Sequence, residues 1–324
     1  MHPNRNFRNI EIEKKYQLLI EKVFGSLIFA HSEGVLVSHV PFLLDESCEF
    51  LEMHLVRSNP ILRHLDTPKD VVFTVHGPDE FYHVGEQQLE KKFAAAKFII
   101  CISDFAKSQV MKYTAFTEWD KLHINYLGVD TTQFSPSPQA HNNEIPVLLC
   151  VGRLVNAKGQ GVLLQAAKTL IDRGVNFTLQ IVGDGPDKID LEKFSATHQL
   201  TQHVNFMGKV NHDQIQQLQQ KADVFVLPSF AEGIPIVLME AMACGTPCVT
   251  THITGIPELF THDHDGLLVR PGNAIMLADA LERLITQTDT RDRLKTAALA
   301  TVRDQWCIHQ SNQRLAQLFI QRLS

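Results

Sequence analysis

From about residue 145 to the carboxyl terminus, short apolar runs alternate with longer segments whose apolar positions recur every three or four residues. Runs of four or five apolar residues suit strands buried on both faces, and the periodic segments suit amphipathic helices, so this half predicts a parallel sheet covered by helices. The strand candidates are 147–151, 178–182, 204–206, 224–227, 248–250 and 267–269. Val162, Leu163, Ala166, Ala167, Leu170 and Ile171 form one helical stripe, and Leu277, Ala280, Leu281, Leu284 and Ile285 form another. The pattern amounts to a complete doubly wound α/β unit.

Residues 70–130 carry three further apolar runs, 71–75, 98–103 and 123–127, with helical segments between them. The first 65 residues differ. After one amphipathic helix predicted over 10–23, apolar runs at 26–30, 35–40 and 50–56 follow at short spacing, as antiparallel strands joined by turns such as Ser32-Glu33-Gly34 would. The linker 135–144 is rich in Pro, Ser and Asn and marks the clearest boundary, and no internal repeat is present.

Composition narrows the classes. A chain of 324 residues is long enough for two cores, and its formal net charge of -6 gives no long-range attraction for nucleic acid or anionic lipid. The most apolar stretch, 93–102, is broken by Lys97 and is too short to span a bilayer, and the amino terminus lacks the apolar segment of a secretory signal. A cytoplasmic protein with at most peripheral contact at the inner membrane face is expected. Cys48, Cys101, Cys150, Cys244, Cys248 and Cys307 are scattered with no Cys-x-x-Cys pair, as reduced thiols would be.

Candidate chemistry concentrates in two segments. In PSFAEGIPIVLMEAMACGTPCVTT, 228–251, a strand ends at Pro228, a loop holds Glu232 and Gly233, and Pro235 opens a helix that Gly245 stops. Such a helix aims unpaired amides and a positive dipole end at the crevice where ligands of parallel sheets bind, so an anion such as a diphosphate belongs there. Glu232 before the helix and Glu240 within it would offer carboxylates to different parts of one ligand, and carboxylates accept readily from sugar hydroxyls. In VLLCVGRLVNAKGQG, 147–161, Arg153 and Lys158 sit at a strand end and would neutralise a diphosphate, while Gly152, Gly159 and Gly161 would permit close backbone approach. The His262, Asp263, His264, Asp265 run suits an exposed turn better than a metal site, and Lys91, Lys92, Lys97, Lys107 and Lys112 suit a solvated face better than a lipid-binding strip.

These two segments, in this order, resemble the retaining group 1 glycosyltransferases of family four, which have the GT-B fold. IVGDGP at 181–186, FMGKV at 206–210 and GIPELF at 255–260 extend the likeness over roughly residues 70–324. The resemblance implies that Arg153 and Lys158 hold the donor diphosphate, that Glu232 contacts the transferred sugar, and that Glu240 contacts the nucleotide ribose. It implies that Gly152, Gly183, Lys209, Val210, Gly233 and Ile234 line the nucleotide-sugar site. VFTVHGPDEF resembles the family's amino-domain strand that ends in an active-site histidine, here His76. Two departures stand out: Thr254 replaces the first of two glycines usual before Ile-Pro-Glu, and the family's first strand and glycine-rich loop are missing.

In their place MHPNRNFR, FGSLIFAHSEGVLVSHVPFLLDES and HLVRSNPILRHLD resemble the start of PaiB-type FMN-binding transcriptional regulators, a split β-barrel family. The expected organisation is a split-barrel-like fragment over 1–70, a truncated GT-B amino-terminal (acceptor) domain over 71–140, a Rossmann-type donor domain over 141–305, and a helix over 306–324 that crosses back to the amino-terminal domain. The function this implies is retaining transfer from a nucleotide-sugar to a glycan or lipid-linked acceptor in cell-surface polysaccharide synthesis, with no metal and no nucleic acid. A nucleotide-sugar-binding protein without transfer is the alternative, because the acceptor domain is incomplete; an FMN-binding regulator is a distant third. The 1–70 segment is expected to pack loosely, to bind no FMN and to leave transfer absent or weak.

Overall fold

The computed structural model describes residues 24–31, 34–44, 51–53, 72–76, 81, 89–138 and 143–323. The chain divides into two compact units, Met1–Lys69 and Asp70–Ser324. In the first, β1 (Phe24–His31), β2 (Gly34–Leu44) and β3 (Leu51–Met53) form an antiparallel sheet in that order. His31 stands opposite Gly34, the register of a two-residue hairpin at the predicted turn. The helix expected over 10–23 lies outside the described residues.

The second unit contains two parallel-sheet lobes. The small lobe runs β4 (Val72–Val75), α1 (Leu89–Ala95), β5 (Phe98–Cys101), α2 (Asp104–Met111) and β6 (Leu122–Ile124), with the strands in the order β4-β5-β6. Val75, Phe93, Ile99, Cys101, Val110 and Leu122 make its core. The apolar run expected as a strand over 98–103 stops at Cys101, because Ser103 caps α2: its Oγ accepts from the Ala106 amide at 2.9 Å. The strand expected over 123–127 is likewise shorter and starts one residue earlier.

The large lobe is built from β7 (Val147–Val151), α3 (Gln160–Asp172), β8 (Thr178–Val182), α4 (Lys188–Thr197), β9 (Val204–Gly208), α5 (His212–Lys221), β10 (Val224–Leu227), α6 (Ile236–Ala243), β11 (Cys248–Thr251), α7 (Ile256–Leu259), β12 (Leu267–Val269), α8 (Ala274–Thr286) and α9 (Thr288–Gln305). Successive strand residues face opposite ways, so Leu148 and Cys150 join a cluster with Leu163, Leu281 and Leu284, while Leu149 and Val151 join one with Leu238, Met242 and Val302. Both faces are covered, which is why these strands read as continuous apolar runs rather than alternations.

Strand order is β12-β11-β10-β7-β8-β9, all parallel. The chain winds outward from β7 to β9 and then returns to lay β10 on the other side of β7. Connections therefore leave β7 and β10 in opposite directions and open a crevice at their carboxyl ends. After α9, the Val129 amide donates to the Trp306 carbonyl at 2.8 Å and the Ile308 amide to the Val129 carbonyl at 3.0 Å. The last helix, α10 (Ile308–Leu323), then lies on the small lobe, where Asn125 Nδ2 donates to Ser311 Oγ at 3.2 Å and Phe319 meets Phe98 edge to face at 5.4 Å. Cys101, Cys150, Cys244, Cys248 and Cys307 are free thiols, and among the described residues no helix is long and apolar enough to cross a membrane.

Candidate active site

Two loops meet at the crevice: the turn 152–159 after β7 and the loop 228–235 after β10. The Phe230 amide donates to the Ala157 carbonyl at 2.8 Å, joining one loop to the other. Gly159, with φ +67, faces Pro228 so closely that a Cβ would lie 2.1 Å from its carbonyl oxygen. Gly183 makes a similar approach, with a would-be Cβ 1.9 Å from the Gly152 oxygen. At Gly152 nothing lies nearer than 3.9 Å to a would-be Cβ and Gly161 has open space, so no other part of the protein crowds either position. The close approach at Gly152 is made by its carbonyl, and it demands a glycine at 183 instead.

Lys158 and Glu232 form the centre of the arrangement, with Nζ and Oε1 2.6 Å apart. The same oxygen accepts from Ser229 Oγ at 2.7 Å, and Glu232 is only 8% exposed. Ser229 is itself fully buried, and its carbonyl accepts from Thr251 Oγ1 at 2.7 Å, while Thr250 Oγ1 donates to Leu227 O at 2.8 Å. The threonines at the end of β11 thus hold the backbone that aims the glutamate. Arg153 is exposed, with no ion-pair partner among the described residues, and Gln160 Nε2 fixes its carbonyl at 2.9 Å. Lys209 is also exposed, 3.8 Å from Asp184, and Val210 packs against the same core cluster as Ile215 and Leu218 of α5. Ile234 is buried behind the loop.

Helix α6 begins after Pro235 with no side-chain cap and no acidic residue in its first turn, so its leading amides face the crevice side of the loop unassisted. Glu240 lies farther along it and is buried against α5 rather than beside Lys158. Burial pushes its carboxyl above the ordinary range, opposed by His212 and by a hydrogen bond with Gln219. A raised folded-state pKa means that the folded chain holds the proton more tightly than the unfolded chain does. The carboxylate therefore costs stability as pH rises through that value and costs none below the ordinary value of 4.5. Glu240→Gln is expected to raise the urea midpoint at pH 8 and to lose that advantage at pH 4.

His76 follows β4, and its carbonyl oxygen would stand 2.2 Å from a Cβ at Gly233, so the small lobe reaches the Glu232 loop at that point. Thr254 takes the left-handed backbone, φ +46, that the expected glycine would have taken, and its Oγ1 donates to the Glu232 carbonyl. Gly255 keeps the close approach, with a would-be Cβ 2.7 Å from the Gly233 oxygen. The turn at 262–265 is structural but not wholly exposed. Asp265 is buried and accepts from Thr261 N and Thr301 Oγ1, while Asp263 pairs with Arg283 and Arg293. Among the described residues no cluster suited to a metal ion is present.

Sequence reasoning overlooked Ser229 and Glu258, and it read Thr254 only as a missing glycine. Only Ser229 had a local signal, three residues before Glu232 and directly after a strand end.

The two parallel-sheet lobes, joined by a carboxyl-terminal helix that crosses between them, define a GT-B protein. The chain belongs to the group 1 glycosyl transferases, whose family model matches residues 132–301, just over half of its length. A second model, described as "Putative FMN-binding domain", matches residues 1–92. Among curated relatives, "Putative colanic acid biosynthesis glycosyltransferase WcaL" of Escherichia coli is 33% identical over 71% of this chain and 58% of its own. Amylovoran biosynthesis glycosyltransferase AmsK of Erwinia amylovora is 32% identical over 63% of this chain and 52% of its own. The chain thus spans little more than half the length of these two relatives. Of solved structures, Anabaena Alr3699/HepE in complex with UDP-glucose shares the fold at TM-score 0.69 and 23% identity, covering 78% of this chain and 72% of that one.

Proposed function

We propose that the chain transfers a sugar, with retention of anomeric configuration, from a nucleotide-sugar to a glycan or lipid-linked acceptor of cell-surface polysaccharide synthesis. The observation that carries this reading is the part-buried Lys158–Glu232 pair, held by Ser229 at the switch point beside the uncapped start of α6. Lys158 and the exposed Arg153 take the diphosphate, and Glu232 takes the sugar. Glu240 takes the ribose, and His76 stands on the sugar side. The names of WcaL and AmsK support the polysaccharide setting, and the UDP-glucose complex of HepE supports a nucleotide-sugar donor.

The diphosphate leaves on the face from which the acceptor hydroxyl attacks, and its charge is met by the two cations and the α6 amides, so no divalent metal is required. Glu240→Ala is expected to weaken binding of the nucleoside diphosphate itself, whereas Glu232→Ala matters only when the sugar is attached. Calorimetry with UDP, GDP and ADP and their glucose conjugates separates the two. Equal loss for both forms in Glu232→Ala, or a product of inverted configuration by NMR, would defeat the reading.

A second reading keeps nucleotide-sugar binding without transfer, because the glycine-rich loop that begins the family's acceptor domain is not found in this sequence. The model matched over residues 1–92 implies FMN. Of that segment the described strands β1, β2 and β3 form a three-stranded antiparallel sheet, and no step of the proposed transfer is routed through FMN.

A further inference from the structure

Glu258 belongs to the large lobe, in α7, yet both its oxygens are spent on the small lobe. Asp104 N donates to Oε2 at 2.7 Å and Phe105 N to Oε1 at 2.8 Å, across more than 150 residues of chain. These are the first two amides of α2, and Ser103 Oγ takes the third, from Ala106. A carboxylate spanning two leading amides is favoured by the helix dipole and fixes direction as well as distance. Tyr126 Oη adds a strut from the next strand connection, donating to Asp104 Oδ2 at 2.9 Å.

The other end of the same segment grips the site. Four residues before Glu258, Thr254 binds the Glu232 carbonyl from a backbone conformation, φ +46, that β-branched residues rarely adopt. Gly255 lies against the Gly233 carbonyl, and the Glu258 amide donates to the Gly255 carbonyl at 3.0 Å. On the small-lobe side, Val75 pairs with Cys101 and the Ile102 amide donates to Val75 O at 3.3 Å, so His76 and α2 emerge from neighbouring strand ends. Residues 254–258 therefore span from the peptide of Glu232 to the lobe that carries His76.

We propose that Glu258 is a positioning residue whose clamp on α2 holds the small lobe, and His76 with it, in register with Glu232, Thr254 transmitting the hold to the Glu232 peptide. This rests on the reading of Glu232 as the sugar-side carboxylate. It goes beyond that reading by assigning closure of the two lobes to one carboxylate that touches no ligand.

The test uses the full chain with Glu258→Gln, Glu258→Ala, Thr254→Val and Thr254→Ser. Hydrogen exchange without nucleotide reads the clamp: amides 104 and 105 should exchange at least tenfold faster in both Glu258 variants and at the wild-type rate in both Thr254 variants. Calorimetry reads its consequence, with UDP, GDP and ADP and their glucose conjugates as probes. Affinity for the bare diphosphate should stay within twofold, while the extra affinity brought by the sugar falls at least tenfold in the Glu258 variants and in Thr254→Val, and Thr254→Ser restores it. Unchanged exchange in Glu258→Gln overturns the proposal, as does a sugar-dependent affinity that survives the faster exchange. A wild-type chain that binds none of the nucleotides defeats the functional reading instead, and the exchange arm alone then decides whether the clamp exists.

Discussion

Lys158→Ala is expected to weaken nucleoside diphosphate binding by about 1.5 to 3 kcal/mol, the usual worth of a hydrogen bond to a charged group. The loss has two parts. On the proposed reading Lys158 supplies charge to the diphosphate; it also neutralises Glu232, which is 8% exposed and otherwise keeps only the Ser229 hydroxyl on that oxygen. Removing one partner of a fully buried pair costs about 3 to 5 kcal/mol of stability. The Lys158 side chain is 22% exposed, so the cost here belongs at or below the lower end of that range. Arg153→Ala removes a charge that is exposed and pairs with nothing among the described residues, so it should lower affinity without lowering the urea midpoint. Calorimetry and urea melts on both variants separate the two roles. Unchanged affinity of Lys158→Ala for UDP, GDP and ADP would remove the lysine from the site.

Gly159→Ala should be among the most damaging single methyls in the large lobe. The left-handed backbone, φ +67, costs an alanine about 1 to 2 kcal/mol. Its Cβ would also lie 2.1 Å from the Pro228 carbonyl oxygen, a backbone atom that cannot rotate away. To relieve the contact, the turn holding Lys158 must part from the loop holding Glu232, so nucleotide affinity should fall together with a loss of roughly 3 kcal/mol or more in stability. Gly161→Ala is the matched control. It lies in α3 with nothing within 4 Å of the added methyl, and it should stabilise the chain by roughly 0.5 to 1 kcal/mol. Urea melts that ranked the two variants in the opposite order would show that the loops do not meet as described.

The behaviour of these positions also shows what could be read before any fold was known. The strands at 147–151, 178–182, 224–227 and 267–269 stand where their apolar runs predicted, and the stripes at 162–171 and 277–285 are α3 and α8. The helix from Pro235 to its stop at Gly245 was likewise legible, since Gly245 takes φ +74 after the last turn. Each of these rests on periods and end signals contained within ten or twenty residues, so the chain carries them locally. The small-lobe strands were misjudged at their ends for the same local reason: a hydroxyl at Ser103 turned an apolar run into a helix cap.

What no window of sequence contains is the strand order. Placing β10 beside β7, rather than beside β9 which precedes it, brings Lys158 to Glu232 across 74 residues. The same packing of one lobe on the other lays Glu258 on the amides of Asp104 and Phe105. Glycine shows the division within one motif. Sequence counts Gly152, Gly159 and Gly161 alike, whereas only at Gly159 does a second loop arrive close enough to forbid a side chain. Residue type and spacing determined which charged and hydrogen-bonding groups this chain could bring to the crevice. Long-range pairing, whose entropic cost is met only when the whole sheet and both lobes assemble, decided which of them meet.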